Sequence, residues 1–149
     1  MNRKFAIPIL LCILISCENI NMTNPVPNVP VNYTLNIESE YPHFMVDHYR
    51  VKTITRTKFE REYIGYAGLL IWKGLDGNFH AADLCCPNCL LKNKPLTIND
   101  EYDWYATCPT CGEAYELTYG YAFPTKGLTK LPLKKYPTSF SHGALRIIN

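Results

Sequence analysis

The sequence predicts an all-β protein, a small antiparallel sandwich or barrel that carries a two-knuckle metal-binding hairpin pair. Three observations lead there. Period-two alternation recurs along the chain, as in Val31, Tyr33, Leu35 and Ile37 set against polar partners. No stretch carries an apolar stripe at helical spacing for as many as three turns. Eleven tyrosines and eleven prolines favour strands and loops over helices. With 149 residues, 47 % of them hydrophobic, the chain has material for one domain with a real core.

Met1 to Cys17 reads as a targeting segment. Asn2-Arg3-Lys4 is a positive start, and Phe5 to Ile15 is an apolar run of eleven residues, too short to span a bilayer as a mature helix. Its ending, Leu14-Ile15-Ser16-Cys17, resembles a bacterial lipobox. That resemblance implies cleavage before Cys17 and acylation of its thiol and new amine. The mature protein would then be tied by lipid to a membrane of the bacterial cell envelope, with its domain outside the cytoplasm. An ordinary secretory signal or an uncleaved anchor is the alternative. Cys12 falls in the removed part. Residues 18–31 form a tether rich in Asn, Thr and Pro, in which Pro25, Pro27 and Pro30 keep the chain extended. Without Arg3 and Lys4, 13 basic residues face 13 acidic ones, so no electrostatic argument favours a nucleic-acid partner.

The β domain covers residues 32–149 and opens on the alternating strand Val31 to Ile37. Glu38 to Asp47 is irregular. Tyr49 to Thr57, rich in Val, Ile and Thr, is the next strand, and Ala67 to Lys73 is a denser apolar run expected at the centre of a sheet. Leu75-Asp76-Gly77-Asn78 is a hairpin turn whose Asp-Gly pair tolerates positive φ. Asn78 to Leu84 is the returning strand and enters a first cysteine loop. Trp104 to Thr107 leads into a second loop, and Glu113 to Thr118 leads out of it. Tyr136 to Phe140 and Ala144 to Ile148 form a last hairpin around Ser141-His142-Gly143.

The loops carry the chemistry. Cys86-Pro-Asn-Cys89 and Cys108-Pro-Thr-Cys111 are two Cys-x-x-Cys pairs separated by 18 residues. Two residues between cysteines let a tight turn aim both sulfurs at one point, and two such turns can enclose a metal in four sulfurs. The proline after each first cysteine fixes φ, and Gly112 lets backbone N–H groups approach the second loop's sulfur. Disulfides or unligated thiols are the plainer alternative.

From here the order of parts resembles a Rieske-type iron–sulfur domain. The likeness covers roughly Val31 to Asn149. It runs from the Asp76-Gly77 hairpin through Phe79-His80-Ala81-Ala82-Asp83 and both ligand loops. It continues through Gly120 and Lys126-Gly127 to Leu131-Pro132-Leu133-Lys134-Lys135-Tyr136. It looks closest to the Rieske-like lipoproteins of bacteria. The resemblance implies a [2Fe–2S] cluster on Cys86, Cys89, Cys108 and Cys111, an electron-transfer or redox role, and a redox partner protein. It also implies that Cys86 and Cys108 hold one iron and Cys89 and Cys111 the other. The chain departs from the family in three places. Cys89 and Cys111 stand where the family has histidines. The first loop has two residues between ligands where respiratory members have one. Leu128 follows Gly127 where the covering loop usually has proline. Cys-Pro-x-Cys-Gly also resembles the knuckles of rubredoxins and zinc ribbons, so a structural Zn²⁺ on the same four cysteines, or a disulfide-stapled binding lipoprotein, is the alternative.

Charge bears on that choice. A ferric pair with two sulfides and four thiolates sums to the same −2 as zinc with four thiolates. An all-cysteine cluster belongs near about −400 mV, below the Rieske range and awkward in an oxidising envelope. An oxygenase would need a second, mononuclear iron domain with two histidines and a carboxylate, for which the sequence has no candidate. The chain therefore reads as an electron-transfer component and not as an enzyme on its own. Thiol–disulfide exchange is a third possibility, but such pairs usually open a helix, and no helix is expected here. Cys85 points away from its neighbour on a strand and reads as a buried thiol. His43, His48, His80 and His142 read as structural or surface residues, with His80 the nearest to a substitute ligand. Tyr115 follows Cys111 closely enough to pack on the site. Tyr102, Trp104 and Tyr105 pack the insert.

Overall fold

In the computed structural model, residues 23–47, 50–99 and 104–149 are described. The signal segment with Cys12 and Cys17, the first part of the tether, His48, Tyr49 and Tyr102 lie outside the described residues. The first alternating run folds as β1 (Val31–Asn36), with Val31, Tyr33 and Leu35 buried and their neighbours exposed. Ile37 was expected to continue this strand. It opens a single-turn helix instead, α1 (Ile37–Glu40), because the Gly143 carbonyl accepts the N–H of both Ile37 and Glu38 and ends the ladder. A second single turn, α2 (His43–Val46), completes the irregular stretch.

The remaining strands are β2 (Val51–Ile54), β3 (Tyr63–Ile64), β4 (Leu69–Lys73), β5 (Phe79–Asp83), β6 (Tyr105–Thr107), β7 (Ala114–Glu116), β8 (Phe123–Pro124), β9 (Lys135–Tyr136), β10 (Thr138–Ser141) and β11 (Ala144–Ile148). Among the described residues they form three sheets in the orders β10-β11-β1-β3, β2-β4-β5-β9 and β6-β7-β8, and every pairing there is antiparallel. The fold is thus all-β, as expected.

The second sheet is the middle layer. Along β4, Leu69 and Ile71 enter a core shared with Tyr33, Leu35, Leu145 and Ile147 of the first sheet. Leu70 and Trp72 point the other way, into a core shared with Ala106 and Tyr115 of the small third sheet and with Leu117 just after β7. On β5, Phe79 and Ala81 join the first core and Ala82 the second. A strand buried on both faces has no polar alternate positions, which is why Leu69-Leu70-Ile71-Trp72 reads as an unbroken apolar run. Cys86 and Cys108 belong to the second core, so the sulfurs sit between the middle layer and the third sheet.

Two further differences from the expected elements have local causes. The last hairpin is β10–β11, with Ser141 opposite Ala144, but Tyr136 does not belong to it. Pro137 has no N–H for a ladder, and Tyr136 pairs with Ala81 of β5 instead. Its hydroxyl donates to the buried Asp83 carboxylate at 2.7 Å. The second half of the tether lies on the domain: Val26 is buried, and Asn24 Nδ2 donates to the Pro132 carbonyl at 2.9 Å. Lys134 Nζ donates to the carbonyls of Val26 and Pro27. No helix among the described residues is long and apolar enough to cross a membrane.

Candidate metal centre

Each cysteine loop is the tip of a closed strand pair. After β5, the Leu96 N–H returns to the Leu84 carbonyl at 2.8 Å and closes the first excursion. Between β6 and β7, the Cys108 N–H donates to the Glu113 carbonyl at 2.8 Å and closes the second. A bridge between Thr97 and Thr107, with an N–H···O bond of 2.8 Å each way, sets the two excursions side by side. The loops therefore meet tip to tip.

Within the tips the backbones follow the same path. Leu90 N–H donates to the Cys86 carbonyl and Gly112 N–H to the Cys108 carbonyl, each at 2.9 Å. The residue after each second cysteine has positive φ, +56° at Leu90 and +74° at Gly112. Glycine takes that conformation without strain, whereas leucine does not. The first loop keeps the knuckle shape at some backbone cost.

The four sulfurs come together. Those of Cys86, Cys89, Cys108 and Cys111 lie within 4.8 Å of one another, with the first cysteine of each loop buried and the second half-buried. Contacts run between the loops, among them Cys86 to Cys111 and Cys89 to Cys108, both at 3.8 Å. All five described cysteines are free thiols. Burial pushes the Cys86 thiol up, although the N–H groups of Asn88 and Cys89 favour its thiolate. Burial also opposes charge at Cys111, but there the Glu113 N–H and the Cys89 and Asn88 side chains outweigh it and bring that thiol down to about 7. The thiolate form so favoured is the form that binds metal.

Two neighbours complete the site. The Tyr115 hydroxyl lies 3.3 Å from the Cys86 sulfur. Burial, then the bond to Cys86, hold that phenol well above its usual range, so it stays protonated and has a hydrogen to donate to a Cys86 thiolate. The Glu113 carboxylate is buried and accepts N–H bonds from Ala114, Lys126, Leu128 and Thr129 at 2.7–3.3 Å. Burial opposes its charge, yet these four donors hold it below the usual carboxylate range. Glu113 thereby straps the loop at 126–129 to the second knuckle. Sequence reasoning passes over it; its one signal is a carboxylate two residues past a ligand-type cysteine.

The other candidates lie elsewhere. Cys85 turns from the cage, and its thiol is 3.7 Å from the Cys86 carbonyl. Burial, then Asp83, Cys86 and Cys108, push it up to about 12, so it is inert. His80 Nε2 lies 3.1 Å from the Asp76 carboxylate, and its ring packs on Trp72 with centroids 5.4 Å apart. His142 sits in the β10–β11 turn with φ +50°, and His43 is exposed on α2. Trp104 is partly buried and Tyr105 exposed. A cleft of about 660 Å³ lined by Met45, Lys73, Phe79, His80 and Phe140 opens elsewhere and includes no cysteine. Four thiolates suit zinc or iron. They do not suit a mixed cysteine–histidine cluster, since no described imidazole reaches the cage.

No protein-family model matches the chain, and no curated protein matches it. Among solved structures it is similar to the Sphingomonas yanoikuyae B1 ferredoxin, at 17% identity and a TM-score of 0.46, over 83% of this chain and 99% of that one. It is also similar to a chain in the complex of reduced oxygenase and oxidized ferredoxin in carbazole 1,9a-dioxygenase. That match has 15% identity and a TM-score of 0.44, over 82% of this chain and 94% of that one. The fold described above stands on its own strand order and register.

Proposed function

We propose that this chain is a lipid-anchored redox protein of the bacterial cell envelope. Its iron–sulfur centre is held by Cys86, Cys89, Cys108 and Cys111, and it exchanges electrons with a partner protein. The carrying observation is the cage itself: four cysteine sulfurs from two knuckles within 4.8 Å, with the outer pair half-buried near the surface. An electron reaches a centre that is close to the surface on one side and packed in apolar core on the other. Iron is favoured by the Rieske-like order of parts read in the sequence, which implies an iron centre where the donor set also accepts zinc. The Tyr115 hydroxyl on the Cys86 sulfur also supports a redox role, because hydrogen bonds to cluster sulfurs set the potential.

When bound, iron supplies a one-electron couple. The chain's own residues hold and shield it. Leu84, Leu96, Ala106 and Leu117 pack the buried side, Tyr115 donates to one sulfur, and Glu113 fixes the loop beside the second knuckle. The second reading is a structural zinc site, favoured by the similar backbone turns of the two knuckles. Anaerobic purification followed by metal analysis, a visible spectrum and voltammetry separates the two. Iron with a reversible couple is the expected result. Zinc with no couple establishes the second reading. The anchor has its own test: Cys17→Ala is expected to leave an unlipidated precursor with an unchanged domain. A mature N-terminus found by mass analysis to be unmodified and away from Cys17 would refute the anchor.

A further inference from the structure

We infer that the two loops are built for a single metal ion in four thiolates, not for a pair of irons bridged by sulfide. This rests on the metal-centre reading above and holds for iron or zinc alike.

The first argument is the size of the cage. Four thiolates at about 2.3 Å from one tetrahedral ion stand about 3.8 Å apart along every edge. Two cross-loop contacts are 3.8 Å, and no pair exceeds 4.8 Å. A binuclear cluster places two irons in line with sulfides between them. Thiolates on different irons are then separated by the whole length of the metal pair, and this cage has no long direction.

The second argument is which sulfurs are near each other. The Rieske-like assignment gives the inner pair, Cys86 and Cys108, to one iron and the outer pair, Cys89 and Cys111, to the other. The 3.8 Å contacts join inner to outer, Cys86 to Cys111 and Cys89 to Cys108, which that assignment requires to be the distant ones. Regrouping does not help. With each loop serving its own iron, the same two contacts again cross between irons. With each short contact serving one iron, the pairs would still have to part beyond the 4.8 Å that bounds them all.

The third argument is symmetry. The matching 2.9 Å bonds and positive φ values make the knuckles equivalent, with each loop giving one buried and one half-buried sulfur. Equivalent loops supply two matching pairs of ligands around one point, an arrangement that a single tetrahedral ion accepts. Binding forms four metal–sulfur bonds and sends to solvent the protons that the thiols held.

The test reconstitutes the full chain anaerobically in two ways, with cobalt(II) alone and with iron(II) plus sulfide. The expected results are one cobalt per chain with the intense visible bands of tetrahedral cobalt thiolate, and one iron per chain with no retained sulfide. X-ray absorption of the iron form should show sulfur neighbours and no iron–iron distance. Two irons and two sulfides per chain would overturn the single-ion inference while leaving the metal-centre reading intact. Retention of neither metal, by a chain whose circular dichroism shows the β fold, would overturn both.

Discussion

Cys85 and Cys86 adjoin in the chain, yet only Cys86 faces the cage. Both lie past the end of β5 at Asp83, beyond the strand alternation by which the sequence separates them. The division makes a sharp prediction. Alanine at Cys86, Cys89, Cys108 or Cys111 removes a ligand and uncouples two loops, so metal content and thermal stability should fall together. Cys85→Ala should keep the metal and cost about 1 kcal/mol, the loss of a small buried group. Equal damage from Cys85→Ala in metal analysis and melting would show the ligand set to be wrong. Tyr115 was legible only in part. Its spacing from Cys111 placed the ring on the site, but nothing in a single sequence says that the hydroxyl will end 3.3 Å from the Cys86 sulfur. Tyr115→Phe should cost about 1 kcal/mol for one lost hydrogen bond. With iron bound it should also lower the potential, because the donor favours the more negative, reduced state. Denaturant melts and voltammetry read the two effects separately.

At the scale of elements, the strands with clear periodicity were readable and the two-residue strands were not. β4 announced its central place because both faces are buried, and the Asp76-Gly77 turn announced the hairpin that follows it. β3 and β8 are too short to carry any period; only their partners, β1 and β7, define them. Glu113 shows the same limit for loops. Its value lies in four N–H donors, three of them 13 to 16 residues further along the chain, and no local pattern marks such a bond. Its pH behaviour follows from the sign of its shift. A carboxyl held below its usual value contributes stability above the unfolded value near 4.5, and that contribution is lost as pH falls through the lower folded value. The amides of Lys126, Leu128 and Thr129 should therefore stay protected from hydrogen exchange at neutral pH and lose protection only in acid. In Glu113→Gln, whose amide nitrogen cannot accept, they should exchange about tenfold faster at neutral pH, with little further change on acidification. An unchanged exchange pattern would mean that the loop is held by something else. Gly120 makes a second test of local fit. It has φ +75°, and a Cβ there would run into the His80 ring that packs on Trp72. Gly120→Ala should lower stability by at least about 1 kcal/mol from the positive φ alone, and by more through the displaced ring.

Taken whole, the molecule has two cores that share one sheet, and they are held in different ways. The core between the first and second sheets is closed by long ladders: β1 pairs β11 over five residues and β4 pairs β5 over five. The core beneath the third sheet is closed by strands of two and three residues. So small a sheet has little ladder of its own, and to the apolar packing on Leu70 and Trp72 and the Thr97–Thr107 bridge that join it to the middle layer is added the meeting of Cys86 and Cys89 with Cys108 and Cys111. A metal there links the end of β5 to the β6–β7 hairpin, and its binding free energy becomes folding free energy for that part of the chain alone. Removing it should therefore not unfold the protein evenly. On addition of a chelator, amides of β6, β7 and β8 and of the loop at 126–129 should lose exchange protection. Those of β1, β4, β5 and β11 should keep most of theirs, since stability is local where contacts are local. Thermal unfolding of the metal-free protein should split into two transitions, the lower one shifting with metal concentration as mass action requires and the upper one not. A single transition that moves as a unit, with protection lost across all three sheets at once, would show that the shared middle layer couples the cores more tightly than their ladders suggest.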